Sequence, residues 1–283
     1  MKVFTKSVLA SLIFVATSQM AVAENILVVM SDKDQLKLKG TDVYQTGFYL
    51  NELMQPVKLL LDAGHELTFV TPKGLAPTMD KVSDNVMFFG GNVDALKEHK
   101  ALLESLKLVD RVESPVISLS RVEQIGYDRF DAIYVPGGHA PMNDLLKDQQ
   151  MGTLLTHFHN NQKVTALVCH GPIALLSTLP NASQFTDSLV AGKATKKPQD
   201  WIYSGYKMTV FSNAEEEASK GWLGGGEMEF YPQTALELAG GEYSQSSDIW
   251  YPNVVIDREL ITGQNPASAV NVAKAIINKF DKS

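Results

Sequence analysis

Apolar and polar positions along this chain fall into an alternation of short continuous runs and longer periodic ones. Residues 26–31 (ILVVMS) form an unbroken apolar, β-branched run, the pattern of a strand buried on both faces. Residues 46–63 follow with apolar side chains at helical spacing (Phe48, Leu50, Leu53, Val57, Leu60, Leu61), and Gly64 stands where a helix would end. Residues 67–71 (LTFVT) predict a second strand, so the three segments make a β-α-β unit. The pattern recurs: strand 131–136 running into Gly137-Gly138, helix 143–159, strand 164–168, helix 171–179 and strand 207–211. Helix 230–238 ends at Gly240-Gly241, residues 254–257 and 260–262 read as a short strand pair, and 267–280 is an amphipathic helix. Such alternation predicts an α/β protein, a doubly wound, mostly parallel sheet with helices on both faces. Residues 72–130 are less regular, with one helix near 93–108, and read as a small cap insertion in a single domain spanning 24–283.

The first 23 residues stand apart. Lys2 and Lys6 precede a short apolar run (8–16), and Ala21-Val22-Ala23 offers a small-x-small cleavage site, so 1–23 reads as a signal peptide. The run is too short for a comfortable membrane span, although an uncleaved anchor is the alternative. The expectation is an exported protein, periplasmic or secreted, of about 260 residues, with no membrane association once the signal is removed. Of the 283 residues, 45% are hydrophobic and 20% charged, as in a globular protein. The net charge of −7 argues against nucleic acid as a partner. A single cysteine excludes an internal disulfide framework and a multi-thiolate zinc site.

That cysteine sits in VTALVCHGP, where strand 164–168 runs into Cys169 and a helix begins within two residues. This is the layout of a nucleophile elbow. Proximity to a helix N-terminus predicts a lowered thiol pKa. His170 is its neighbour, but adjacent residues in a turn need not point together. A second segment, YVPGGH, places Gly138 and His139 after a strand. Its backbone N–H groups could contribute to an oxyanion hole, and His139 could touch substrate or cap the next helix. Glu52 lies among apolar residues of the first helix. If it faces the cysteine, burial raises its pKa and keeps it a proton donor.

Taken together, TGFYLNELMQP around Glu52, PGGHAP around His139, ALVCHGP around Cys169 and the late TGQNPASA resemble the DJ-one/ThiJ/PfpI superfamily, within the class I glutamine amidotransferase-like fold. The likeness is greatest to its glyoxalase III-like branch of heat-shock-protein homologues. The resemblance implies a flavodoxin-like sandwich, often a homodimer. It implies a nucleophile at Cys169, a partner at His170 and a carboxyl at Glu52 hydrogen-bonded to the sulfur. An acidic residue after the next strand completes the triad. Spacing favours Glu216, with Glu215 and Glu217 open. The implied activity is glutathione-independent conversion of methylglyoxal, a small dicarbonyl, to lactate, with no metal or organic cofactor. A cysteine amidase or peptidase of the PfpI type is the alternative enzyme. A stress chaperone or redox sensor is the non-enzymatic one. The Lys196-Lys197-Pro198 segment and the export signal depart from the family pattern.

Overall fold

A computed structural model describes residues 23–40, 42–193 and 197–281. The signal-peptide segment therefore lies outside the described residues except for Ala23. In chain order the elements are β1 (Asn25–Val29), β2 (Gln35–Lys37), β3 (Val43–Gln45), α1 (Leu50–Asp62), β4 (Glu66–Thr71), α2 (Val93–Ser105), β5 (Ile117–Ser118), α3 (Leu119–Ile125), β6 (Ala132–Val135) and α4 (Gln149–Asn160). They continue with β7 (Val164–Val168), α5 (Ala182–Val190), β8 (Lys207–Met208), α6 (Asn213–Ser219), α7 (Pro232–Ala239), β9 (Glu242–Tyr243), β10 (Val254–Asp257), β11 (Leu260–Gly263) and α8 (Ala269–Phe280).

Seven strands form the central sheet in the order β10-β11-β7-β6-β1-β4-β5. All neighbours pair parallel except β10 with β11. The inner strands are predominantly apolar because both their faces are covered. Alternate residues go to opposite sides. Leu27, Val29, Ile133, Val135 and Leu167 join a core with Leu154 and Phe158 of α4. Ile26, Val28, Ala132, Tyr134, Ala166 and Val168 join a second core with Leu53 and Val57 of α1 and Ile276 of α8.

Several boundaries differ from the apolar pattern for local reasons. The helix expected over 143–159 starts at Gln149, where the Asp148 side chain accepts the Met151 N–H and caps it. The segment expected as helix 171–179 is 3-10 over Gly171–Thr178, with Pro172 in its first turn. Strand 207–211 shortens to β8, which pairs with β9 in a separate two-stranded sheet. Beyond it the chain leaves the ladder: the Thr209 N–H donates to Thr262 Oγ1 (2.9 Å) and the Phe211 N–H to the Cys169 carbonyl (3.0 Å). The chain thus crosses the carboxyl end of the sheet and delivers α6 there.

Candidate active site

Cys169 directly follows β7 and lies in the left-handed region, at φ +57°. A non-glycine residue holds that conformation only where its surroundings fix it. Here its N–H donates to Gly263 (2.9 Å) and its carbonyl accepts from Phe211 (3.0 Å). The turn brings both neighbours to one place. Cys169 Sγ lies 3.3 Å from His170 Nδ1, and His170 Nε2 lies 2.9 Å from Glu216 Oε1. Phe211 stacks on the imidazole at 4.7 Å and 30°. With Nε2–H donating to the carboxylate, the Nδ1 lone pair faces the thiol.

The acidic run divides into three environments. Ser212 and Glu215 form a capping box that starts α6. The first turn then aims Glu216 inward at His170. Glu215 is also buried, but its carboxylate accepts from five donors: Ser212 N (2.9 Å), Ser212 Oγ (2.8 Å), Trp250 N (3.0 Å), Gln264 Nε2 (3.0 Å) and Asn265 Nδ2 (2.8 Å). Glu217 is bound to Lys220 (2.8 Å) and Tyr231 at the surface. Glu216 is thus the member of the run that reaches the histidine. The apolar pattern predicts no helix here, and the S-x-x-E spacing of residues 212–215 is the signal that could have found α6. The stitching role of Glu215 had no sequence signal.

Glu52, on the first turn of α1, is fully buried beside the sulfur. Its Oε2 accepts the Gly137 N–H at 2.9 Å. Its Oε1 has no hydrogen-bond partner, and the Cys169 thiol is a polar neighbour that acts on the carboxyl. Burial pushes this carboxyl up to about 8, against the opposing pull of Cys169 and the Gly137 N–H. It is therefore protonated at neutral pH and able to donate toward the sulfur.

The thiol departs from the expectation of a lowered pKa. Burial pushes it up, and the Glu52 carboxyl adds to this, while the Gly138 N–H works in the opposite direction. Only 2% of Cys169 is exposed, so loss of solvation outweighs the helix-end dipole that the sequence suggested. Burial likewise pushes His170 and His139 down to about 3 and Glu216 up to about 7. Burial thus pushes each of these four groups toward its neutral form.

The paired glycines fit tightly. A Cβ on Gly137 would lie 2.3 Å from Glu52 Oε2 and 2.5 Å from Cys169 Cβ. One on Gly138, at φ +85°, would lie 2.1 Å from the Gly47 carbonyl. His139 does not cap the following helix. Its ring packs 4.2 Å from that of His170, and neither ring nitrogen has a partner. Among the described residues, His139, His170 and Glu216 each offer one ligand atom within 4.8 Å of the others, and they are the group that could hold a metal ion.

The α/β fold thus brings together, at the carboxyl end of a mostly parallel sheet, a cysteine in the left-handed region, a histidine and a carboxylate. The chain belongs to the ThiJ/PfpI-like family, whose model matches residues 43–213. It is 28% identical over 279 residues to the "Probable glutathione-independent glyoxalase hsp3103" of Schizosaccharomyces pombe, covering 91% of this chain and 98% of that protein. It is 24% identical over 259 residues to the "Protein/nucleic acid deglycase HchA" of Pseudomonas aeruginosa, covering 89% and 79%. Both relatives bear the names of enzymes. The fold is similar to that of glyoxalase III from Candida albicans, at a TM-score of 0.68 and 20% identity over 92% of this chain and 98% of that one. It is similar also to the Rapid Encystment Protein of Francisella tularensis, at 0.69 and 25% over 91% and 99%.

Proposed function

We propose that this chain is an exported, glutathione-independent glyoxalase that converts methylglyoxal to lactate. The observation that carries the reading is the buried relay from Cys169 Sγ through His170 Nδ1 and Nε2 to Glu216 Oε1, at 3.3 and 2.9 Å. As the sulfur attacks the aldehyde carbon, His170 takes the thiol proton and delivers it to the carbonyl oxygen, giving a hemithioacetal. The N–H groups near Gly138 and His170 hold the developing oxyanion. His170 then removes the hydrogen on the former aldehyde carbon, and the enediolate so formed regains a proton at the neighbouring carbon. The product is a lactoyl thioester. Water attacks it, the C–S bond breaks, the sulfur recovers its proton and lactate leaves. The sum is addition of one water, with no oxidant or reductant consumed.

Glu216 orients the imidazole and stabilises its charged form during transfer. Protonated Glu52 donates toward the sulfur. Proton transfer to His170 accompanies attack, so the step requires no standing thiolate despite the raised thiol pKa. The enzyme named by the S. pombe relative supports the activity.

Incubating the mature chain with methylglyoxal in the absence of glutathione tests the reading. Lactate should form, and Cys169→Ser should lower kcat/KM by about 10³ or more. No lactate from a protein whose thiol titrates as reduced would overturn it. The names of the P. aeruginosa relatives favour a second reading, hydrolytic release of dicarbonyl adducts from protein or nucleic acid. Assay of glycated cysteine and glycated guanine separates the two, and the net charge of −7 disfavours the nucleic-acid substrate. Export rests on residues 1–23, with 24–283 as one domain carrying an insertion around 72–130. Among the described residues no helix is long and apolar enough to cross a membrane. Mass spectrometry of a periplasmic fraction should find Glu24 as the first residue, and an intact Met1 there would refute cleavage.

A further inference from the structure

His139 is buried, at 2% exposure, with its polar atoms unused. Its ring lies among three others, 4.2 Å from His170, 5.7 Å from Tyr44 and 6.2 Å from Tyr49 between centroids. The Tyr44 hydroxyl donates to the Asp80 carboxylate at 2.9 Å. Among the described residues, neither His139 nitrogen has a hydrogen-bond partner, and neither has Glu216 Oε2. A histidine buried for packing alone keeps its N–H and its lone pair satisfied, because leaving either unmet is costly. The relay uses Glu216 Oε1 and both nitrogens of His170, so it accounts for none of these orphaned atoms.

The same side chains converge. One ligand atom each from His139, His170 and Glu216 lies within 4.8 Å of the others, and no member of the set is more than 2% exposed. Glu216 Oε1 is 2.9 Å from His170 Nε2, which makes Nε2 the nitrogen on the shared side. Around a tetrahedral ion with bonds of about 2.0–2.2 Å, ligand atoms stand about 3.4 Å apart, so shifts of about an ångström or less per side chain reach that spacing. Glu215 and Glu217 add negative potential at Glu216, which favours a cation. Imidazole with carboxylate suits Zn²⁺, Co²⁺ or Ni²⁺, whereas Mg²⁺ and Ca²⁺ call for oxygen ligands.

We propose that His139, His170 and Glu216 form a binding site for a divalent transition-metal ion, Zn²⁺ above all, and that its occupation turns the relay off. Binding stands on these side chains alone; the loss of turnover rests on the glyoxalase reading. His170 binds through Nε2, and the proton carried there moves to Nδ1, so none is lost. Nδ1–H then faces the Cys169 sulfur, 3.3 Å away, as a donor. It cannot take up the thiol proton, and attack on the aldehyde loses its base. His139 contributes a nitrogen and Glu216 an oxygen, which gives the orphaned groups their partner. Water completes the coordination.

The test uses the whole mature chain, freed of metal by dialysis against a chelator and titrated with Co²⁺, whose visible absorption reports the ligand set. One ion per chain should bind, with the bands of a nitrogen and oxygen site and no sulfur-to-metal charge transfer. Zn²⁺ should displace it and Mg²⁺ should not. Cys169→Ser should bind as wild type does, while His139→Gln and Glu216→Gln should each weaken binding at least about tenfold. Unweakened binding by His139→Gln, or loss of binding in Cys169→Ser, would overturn the site. Urea unfolding checks that each variant folds, and anomalous scattering from wild-type crystals soaked in Co²⁺ locates the ion without any substitution. A peak away from the three side chains, or none, would overturn the site as well. Methylglyoxal turnover should fall at least about tenfold as the site fills, with the midpoint of the absorption change. Turnover that holds or rises would overturn the block of the relay. A site that fills in a chain whose metal-free form makes no lactate would overturn the glyoxalase reading and leave the metal site standing.

Discussion

Glu52→Gln probes whether the carboxyl beside the sulfur carries a proton. In the folded chain burial lifts it from 4.5 to about 8; unfolding returns it to water and to its ordinary value. The folded state therefore binds this proton more tightly than the unfolded state. Its contribution to stability is complete below pH 4.5 and is lost as pH rises through 8. At about 1.36 kcal/mol for each pH unit between the two values, the whole span is about 5 kcal/mol, and about 3 kcal/mol has gone by pH 7. Glutamine has nearly the same shape, keeps an acceptor for the Gly137 N–H and donors toward the sulfur, and does not titrate. Urea unfolding of both proteins from pH 4.5 to 9 gives the difference directly. Wild type should lose about 5 kcal/mol relative to Glu52→Gln across the range. A difference that stays constant with pH would refute a protonated Glu52.

Native Cys169 should react with iodoacetamide at pH 7 at least about tenfold more slowly than free cysteine, because burial raises the thiol pKa. A rate equal to or above that of free cysteine, followed by mass spectrometry, would restore the lowered pKa that the sequence suggested. Glu215→Gln introduces an amide donor among five donors, and should cost about 2–5 kcal/mol in urea unfolding. Wild-type stability in that variant would show the cluster to be dispensable. Gly137→Ala forces a methyl to 2.3 Å from Glu52 Oε2. It should cost about 1–3 kcal/mol and lower methylglyoxal turnover, and an unchanged rate would count against the tight fit of carboxyl, glycine and thiol.

The inner strands of the sheet were legible because they are largely buried on both faces, so their apolar runs are nearly continuous. The prediction for 164–168 coincides with β7, and that for 254–257 with β10. The β2–β3 hairpin escaped because its three-residue strands alternate too briefly to register, with the burial pattern of Gln35–Lys37 reading exposed, buried, exposed. Residues 207–211 look like a strand because they are apolar. They are apolar instead because Val210 and Phe211 are buried where the chain crosses the end of the sheet.

The sequence by itself determined the α/β class, the strand–turn placement of Cys169 and the short menu of partners around it, because these follow from periodicity and from local turn chemistry. Which carboxylate of Glu215, Glu216 and Glu217 meets the histidine was decided only by the fold. Successive residues on a helix point about 100° apart, and long-range contacts to Trp250, Gln264 and Asn265 fix how α6 is turned. The protonation of the site was decided there too. A helix end lowers a thiol pKa by its local dipole, whereas desolvation depends on everything packed around the sulfur, from Glu52 on α1 to Phe211 beyond β8. Those neighbours are distant in sequence and near only in space.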